Sequence, residues 1–196
     1  VGRDQEFTVT SPEGGRIALP SAVARASFPT TYQPAEAVPV ELRGAGRATR
    51  QVRNFGTPGT LPADSIIACE VITPAGNWSS YPPHKHDEDR PGVEAALEEI
   101  YYFKIDKPQG FAFQRVYNDD RSIDGTMCAY DNDIVLVPEG YHPVSAAYAY
   151  NCYYLNFLAG SAQSLAATDD PAHAWIKSTW TAKDPRLPVV THGMEI

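Results

Sequence analysis

Two histidines one residue apart, His84 and His86, an acidic pair at Glu98 and Glu99, and a further histidine at His142 are the side chains of this sequence best suited to metal chemistry. On a β-strand, residues i and i+2 point to the same face with Cα atoms roughly 7 Å apart, so two such imidazoles can reach one ion. After His86 the chain runs through the acidic loop DEDRPG and returns as EEIYYF, a strand signal that can bring one of the two carboxylates beside them. The segment DNDIVLVPEGYH then delivers His142 from a turn after an apolar strand. Three imidazoles and one carboxylate suit Zn²⁺, Mn²⁺, Fe²⁺, Co²⁺ or Ni²⁺ without choosing among them, and leave coordination positions open. An isolated H-x-H is also compatible with two exposed loop histidines. What favours a metal is concentration, because three of only five histidines fall in two turn-flanked segments. His173 and His192 read as surface or packing residues, and Asp87 to Arg90 as a solvated loop.

Placing these residues around one ion requires a scaffold of short strands. Seventeen prolines and 14 glycines are spread along the chain between runs rich in Val, Ile, Tyr, Phe and Thr, a pattern of strands joined by turns. Strands are expected near residues 7–10, 16–19, 38–42, 50–54, 66–73, 98–105, 111–117, 126–130, 134–137, 144–148 and 152–157. Helical periodicity is confined to possible turns near 92–96 and 171–176. The fold class is all-β, a barrel or sandwich. Residues 21–37, rich in Ala, Pro, Ser and Thr, read as a linker, and the tail from Asp184 as extended and loosely ordered.

At 196 residues with a formal charge of −8, the chain is long enough for one barrel or sandwich with a sizeable core, or one such domain plus part of another, and is poorly suited to nucleic acid or anionic lipid. No run approaches the roughly 18 apolar residues of a membrane helix. The three cysteines, Cys69, Cys128 and Cys152, form no C-x-x-C pair and read as reduced core residues. The opening VGRDQEF has neither a basic nor an apolar leader region. Together these predict a cytoplasmic protein, and the tyrosine-rich strands with an open edge predict a homo-oligomer.

The segments GNWSSYPPHKHDEDRPG, LEEIYYF, QRVYNDDRS, DIVLVPEGYHPV and YYLNFLAG closely resemble the 5-deoxyglucuronate isomerases of bacterial myo-inositol catabolism, from about Glu6 to Leu187. These are cupins, similar to the 5-keto-4-deoxyuronate isomerases. The resemblance implies a cupin barrel (a double-stranded β-helix or jelly roll) over residues 38–196 with a C-terminal extension. Residues 1–37 are then the terminal strands of a truncated N-terminal cupin barrel plus a linker. It also implies the metal ligands His84, His86, Glu99 and His142, with Glu98 as the alternative acid. The reaction implied is an aldose–ketose isomerisation of 5-deoxy-D-glucuronate, a small anionic sugar, to 5-dehydro-2-deoxy-D-gluconate. Such chemistry needs a Lewis acid at two substrate oxygens and a group that moves a proton from C2 to C1. Glu98, Tyr101 or a metal-bound hydroxide could move that proton, and a hydride shift is a competing route. For the substrate carboxylate a bidentate arginine is preferred, with Arg115 favoured over Arg90 and Arg121. Gln114, Tyr117 and Tyr154 could bind sugar hydroxyls. The same ligand set would also serve an Fe²⁺ dioxygenase, and the shape alone would serve a non-catalytic sugar-binding cupin.

Overall fold

In the computed structural model of the chain, residues 1–191 are described. Among them are twelve strands: β1 Val40–Arg43, β2 Arg50–Gly56, β3 Ile67–Thr73, β4 Trp78–Ser79, β5 His84–Lys85, β6 Leu97–Ile105, β7 Ala112–Tyr117, β8 Asp124–Ala129, β9 Ile134–Val137, β10 Val144–Ala146, β11 Cys152–Gly160 and β12 Thr168–Asp169. A six-stranded sheet in the order β1-β2-β3-β11-β6-β9 faces a four-stranded sheet in the order β4-β10-β7-β8, and β5 pairs with β12 apart from both. All pairings are antiparallel.

Alternation decides which side chains enter the barrel. On β6, Leu97, Glu99, Tyr101, Phe103 and Ile105 are buried, while Glu98 and Ile100 face out. On β11, paired to β6 over nine residues, Cys152, Tyr154, Asn156 and Leu158 turn inward. Val135 and Val137 of β9 do the same, leaving Ile134 and Leu136 exposed. Phe103, Ala112, Val144 and Tyr154 join one core cluster drawn from both sheets. Each large apolar side chain so buried contributes about 1.5–3 kcal/mol.

Nine of the eleven expected strands form. The segments near 7–10 and 16–19 do not: residues 1–34 carry no strand, and Phe7, Val9, Ile17 and Leu19 are all more than half exposed. Their extended, β-prone sequences meet no neighbouring strand to take their backbone hydrogen bonds. The expectation of a loose tail is also corrected as far as residue 191. Asp184 bonds Asn77 and the Arg186 guanidinium, Gln51 bonds the backbone of Val189 and Val190, and Leu187 and Val190 are buried. Cys69 and Cys152 lie in the core as expected, but Cys128 is exposed on β8. The helical turn expected at 171–176 forms slightly later, as a 3-10 turn over Ala174–Thr179.

Candidate metal centre

The two-residue strand β5 separates its side chains by face. Lys85 turns away from the barrel, into ion pairs with Asp87, Glu88 and Asp119 at 3.0–3.1 Å, and His84 and His86 turn inward. His86 is fixed twice to the start of β6: its carbonyl accepts the N–H of Leu97 at 2.8 Å, and its Nδ1 donates to the Leu97 carbonyl at 3.1 Å. The intervening loop closes on the carboxylate of Glu94, which accepts the N–H groups of Asp87 and Glu88 and pairs with Arg90. Burial opposes charge on Glu94. Bonds from Thr168, the two amides and Arg90 nevertheless hold its pKa down at about 2. The long acidic loop thus returns the chain beside His86 with Glu99 two residues further on.

His142 follows a turn that only glycine fits. Gly140 has φ +87°, and a Cβ there would stand 2.5 Å from the Tyr117 carbonyl oxygen. The Gly140 carbonyl accepts the Nδ1–H of His142 at 2.8 Å, while its N–H donates to Asp87 at 3.0 Å.

One carboxylate oxygen of Glu99 lies 2.9 Å from Nε2 of His86 and 3.1 Å from Nε2 of His142. All three side chains are buried, and their ligand atoms lie within 4.8 Å of one another. Each Nδ1 is committed as a donor to a carbonyl, so in the neutral tautomer each Nε2 presents a lone pair toward Glu99. Three converging acceptors repel unless a positive charge sits among them, supplied by a cation or by protonated rings. Burial disfavours charge on His86, but the bond to Glu99 outweighs it and raises the imidazole above its usual range. Glu99 is held well below the usual carboxylate range against its own burial by His142 and His86. His84 is half-buried beside them, its ring centroid 5.0 Å from that of His142 and 6.4 Å from that of His86. Burial first, then the neighbouring imidazoles, push its pKa well down. The result is a neutral imidazole whose ring makes no hydrogen bond among the described residues. The donor set, with Nδ1 of His86 and of His142 anchored and their lone pairs converging on Glu99, fits a divalent cation.

Three further expected site residues share the interior. Tyr101 is buried with its hydroxyl 3.2 Å from Ser80 Oγ, and burial raises its pKa well above that of a free phenol. Tyr154 packs against it at 4.8 Å between ring centroids. Gln114 is fully buried on β7, with neither amide atom partnered among the described residues. The other five lie elsewhere. Glu98 points outward from β6 because it alternates with Glu99. Arg90 is held in the loop by Glu88 and Glu94. Arg115, also outward on its strand, makes a two-pronged pair with Asp124. Its guanidinium and that of Arg121 stack on the Tyr117 ring at 4.3 and 4.1 Å, and the Tyr117 hydroxyl donates to Asp170. His173 lies 4.0 Å from Asp170, away from the cluster, and His192 lies outside the described residues.

The cavity over His84, His86 and Glu99 is lined as well by Arg43, Arg50, Ser80 and Asn156, none of which sequence reasoning singled out. The available signal for Arg50 was its place two residues before an apolar Val52 on a strand. Gln51 and Arg53, on the opposite face, are equally polar, so alternation did not identify the inner face.

The family model described as KduI/IolB matches residues 1–176. The chain belongs to the KduI/IolB family. It is similar to the 5-deoxy-glucuronate isomerase of Geobacillus kaustophilus, at 51% identity over 82% of this chain and 58% of that protein. The same-named protein of Bacillus velezensis is 47% identical over 90% of this chain and 65% of its own length. A crystal structure of an IolB-like protein from Salmonella typhimurium LT2 superposes with a TM-score of 0.68 at 49% identity, covering 71% of this chain and 53% of that one. The chain therefore spans about three fifths of the length of these KduI/IolB relatives. Its all-β architecture is shared with that IolB-like protein. No helix among the described residues is long and apolar enough to cross a membrane.

Proposed function

We propose that this chain carries the metal centre of a 5-deoxy-glucuronate isomerase, acting on a small anionic sugar in the cytoplasm. The observation that supports this most directly is the convergence of Nε2 of His86, Nε2 of His142 and a Glu99 oxygen in a buried cluster. It occurs in a chain about half identical to isomerases of that name.

In this reading His84, His86, Glu99 and His142 hold a divalent ion of the Zn, Mn or Fe type. When bound, the ion supplies Lewis acidity that stabilises negative charge developing on substrate oxygens. Overall, the C2 hydrogen of the aldehyde sugar moves to C1 and the O2 proton to O1, giving the ketone with no net redox change. The Tyr101 hydroxyl, neutral and beside Ser80 of the cavity wall, donates a hydrogen bond to a substrate oxygen. Gln114 offers both a donor and an acceptor to sugar hydroxyls, and Tyr154 packs against the chain of the sugar. Glu98 has no such access from the outer face. Residues 1–37 serve as the junction to a preceding barrel, their exposed apolar side chains covered in the longer assembly, which is a homo-oligomer.

Turnover of 5-deoxy-D-glucuronate, followed by proton NMR in protein stripped of metal and then reloaded, tests the assignment. Activity should fall at least about 100-fold on stripping and return on reloading. Equal rates in the two states would remove the metal from the account.

A further inference from the structure

Arg50 is a buried guanidinium without a counter-ion among the described residues. It is only 7% exposed and sits on β2, on the same inward face as the core residue Val52. Its Nη1 donates to the carbonyls of Ala48 and Tyr81 at 3.2 and 3.3 Å, and it forms no ion pair among the described residues. Its cross-strand neighbour Arg43 is served differently, with two bonds to Glu41 at 3.0 and 2.7 Å. Burial lowers the Arg50 pKa to about 10, which still leaves it charged at neutral pH. A desolvated charge without a partner is costly, and this one lines the cavity that holds His84, His86 and Glu99.

We propose that Arg50 is the specificity residue that binds the carboxylate of the sugar acid, fixing which end of the substrate lies toward the histidine cluster. A guanidinium matches a carboxylate in charge and in two-pronged geometry, and between buried groups such a pair is stronger than at the surface. Arg115, the arginine that the sequence favoured, is already satisfied by Asp124 on the outer face. The identity of the sugar rests on the isomerase reading, but recognition of a carboxylate does not.

The test compares 5-deoxy-D-glucuronate with its methyl ester, by calorimetric binding to the metal-loaded protein and by turnover. Wild-type protein should prefer the acid by about 10- to 100-fold in affinity, the range of a hydrogen-bonded charge pair. Arg50→Met should reduce that preference to near unity, and Arg50→Lys should retain part of it. Equal affinity of wild-type protein for acid and ester overturns the inference even if the Met variant does not fold. An Arg50→Met variant that weakens both ligands equally, or neither, also overturns it, while wild-type turnover of the acid would leave the isomerase reading intact. Conversely, Arg50-dependent preference for the acid without turnover supports carboxylate recognition and removes the isomerase assignment.

Discussion

The N–H of Gly140 donates to the carboxylate of Asp87 at 3.0 Å, joining two segments 53 residues apart. Asp87 directly follows His86, and Gly140 holds the Nδ1–H of His142, so this bond helps set the spacing between two of the proposed ligands. Outer partners of this kind are worth about 10- to 100-fold in metal affinity. Asp87→Ala should weaken Co²⁺ binding by that amount, read by chelator competition and the visible absorption of the ion. An unchanged affinity would show that the turn holds His142 unaided.

Binding of an ion to the folded state alone must raise thermal stability. At a free metal concentration 100 times Kd the gain is about 2.7 kcal/mol. Wild-type protein should therefore show a higher Tm with added Mn²⁺ or Zn²⁺ and a lower one with chelator. Glu99→Gln keeps the shape but removes the proposed anionic ligand, and its Tm should be nearly insensitive to metal. A full metal-dependent rise in that variant would contradict ligation by Glu99.

Glu94 contributes acid-dependent stability to the loop between His86 and Leu97. Its folded pKa, about 2, lies below the ordinary 4.5, so the unfolded chain takes up its proton first as pH falls. The stabilisation is fully present above pH 4.5 and is lost progressively as pH falls toward 2. Glu94→Gln should have a lower Tm near neutrality and a flatter Tm profile across that window. Parallel profiles for the two proteins would exclude Glu94 as the source.

For Arg115→Ala the expected kinetic effect is small. Its pair with Asp124 is partly exposed, and such pairs contribute about 0–1 kcal/mol. kcat/KM should stay within about twofold of wild type, with a Tm lower by no more than a few degrees. A loss of 100-fold would mean that the outer face takes part in the reaction.

Much of the centre was legible because alternation along a strand is strict. The i, i+2 spacing put His84 and His86 on one face, and Glu99 with Tyr101, Phe103 and Ile105 formed a clean inward set. Arg50 was not legible, since the outer face of β2 is covered by residues 189–190 through Gln51 and so is also polar and buried. Arg115 misled for a related reason: one strand presents Gln114 inward and Arg115 outward, and local sequence does not say which side holds the cavity. The segments near 7–10 and 16–19 have strand composition, yet a strand exists only where a neighbour accepts its backbone bonds.

Among the described residues, the strand that carries His84 has no partner in either barrel sheet. It pairs with Thr168 and Asp169, and the next residue, Asp170, donates its N–H to the Pro83 carbonyl and accepts the Tyr117 hydroxyl proton. A histidine of the inner wall is thus moored by chain that follows the last long strand. Amide protons of His84 and Lys85 should exchange with solvent in step with those of Thr168 and Asp169, and sooner than those of β6 and β11. Loss of the pairing to Thr168 and Asp169 alone would leave the long strands of the barrel in place but let that imidazole drift.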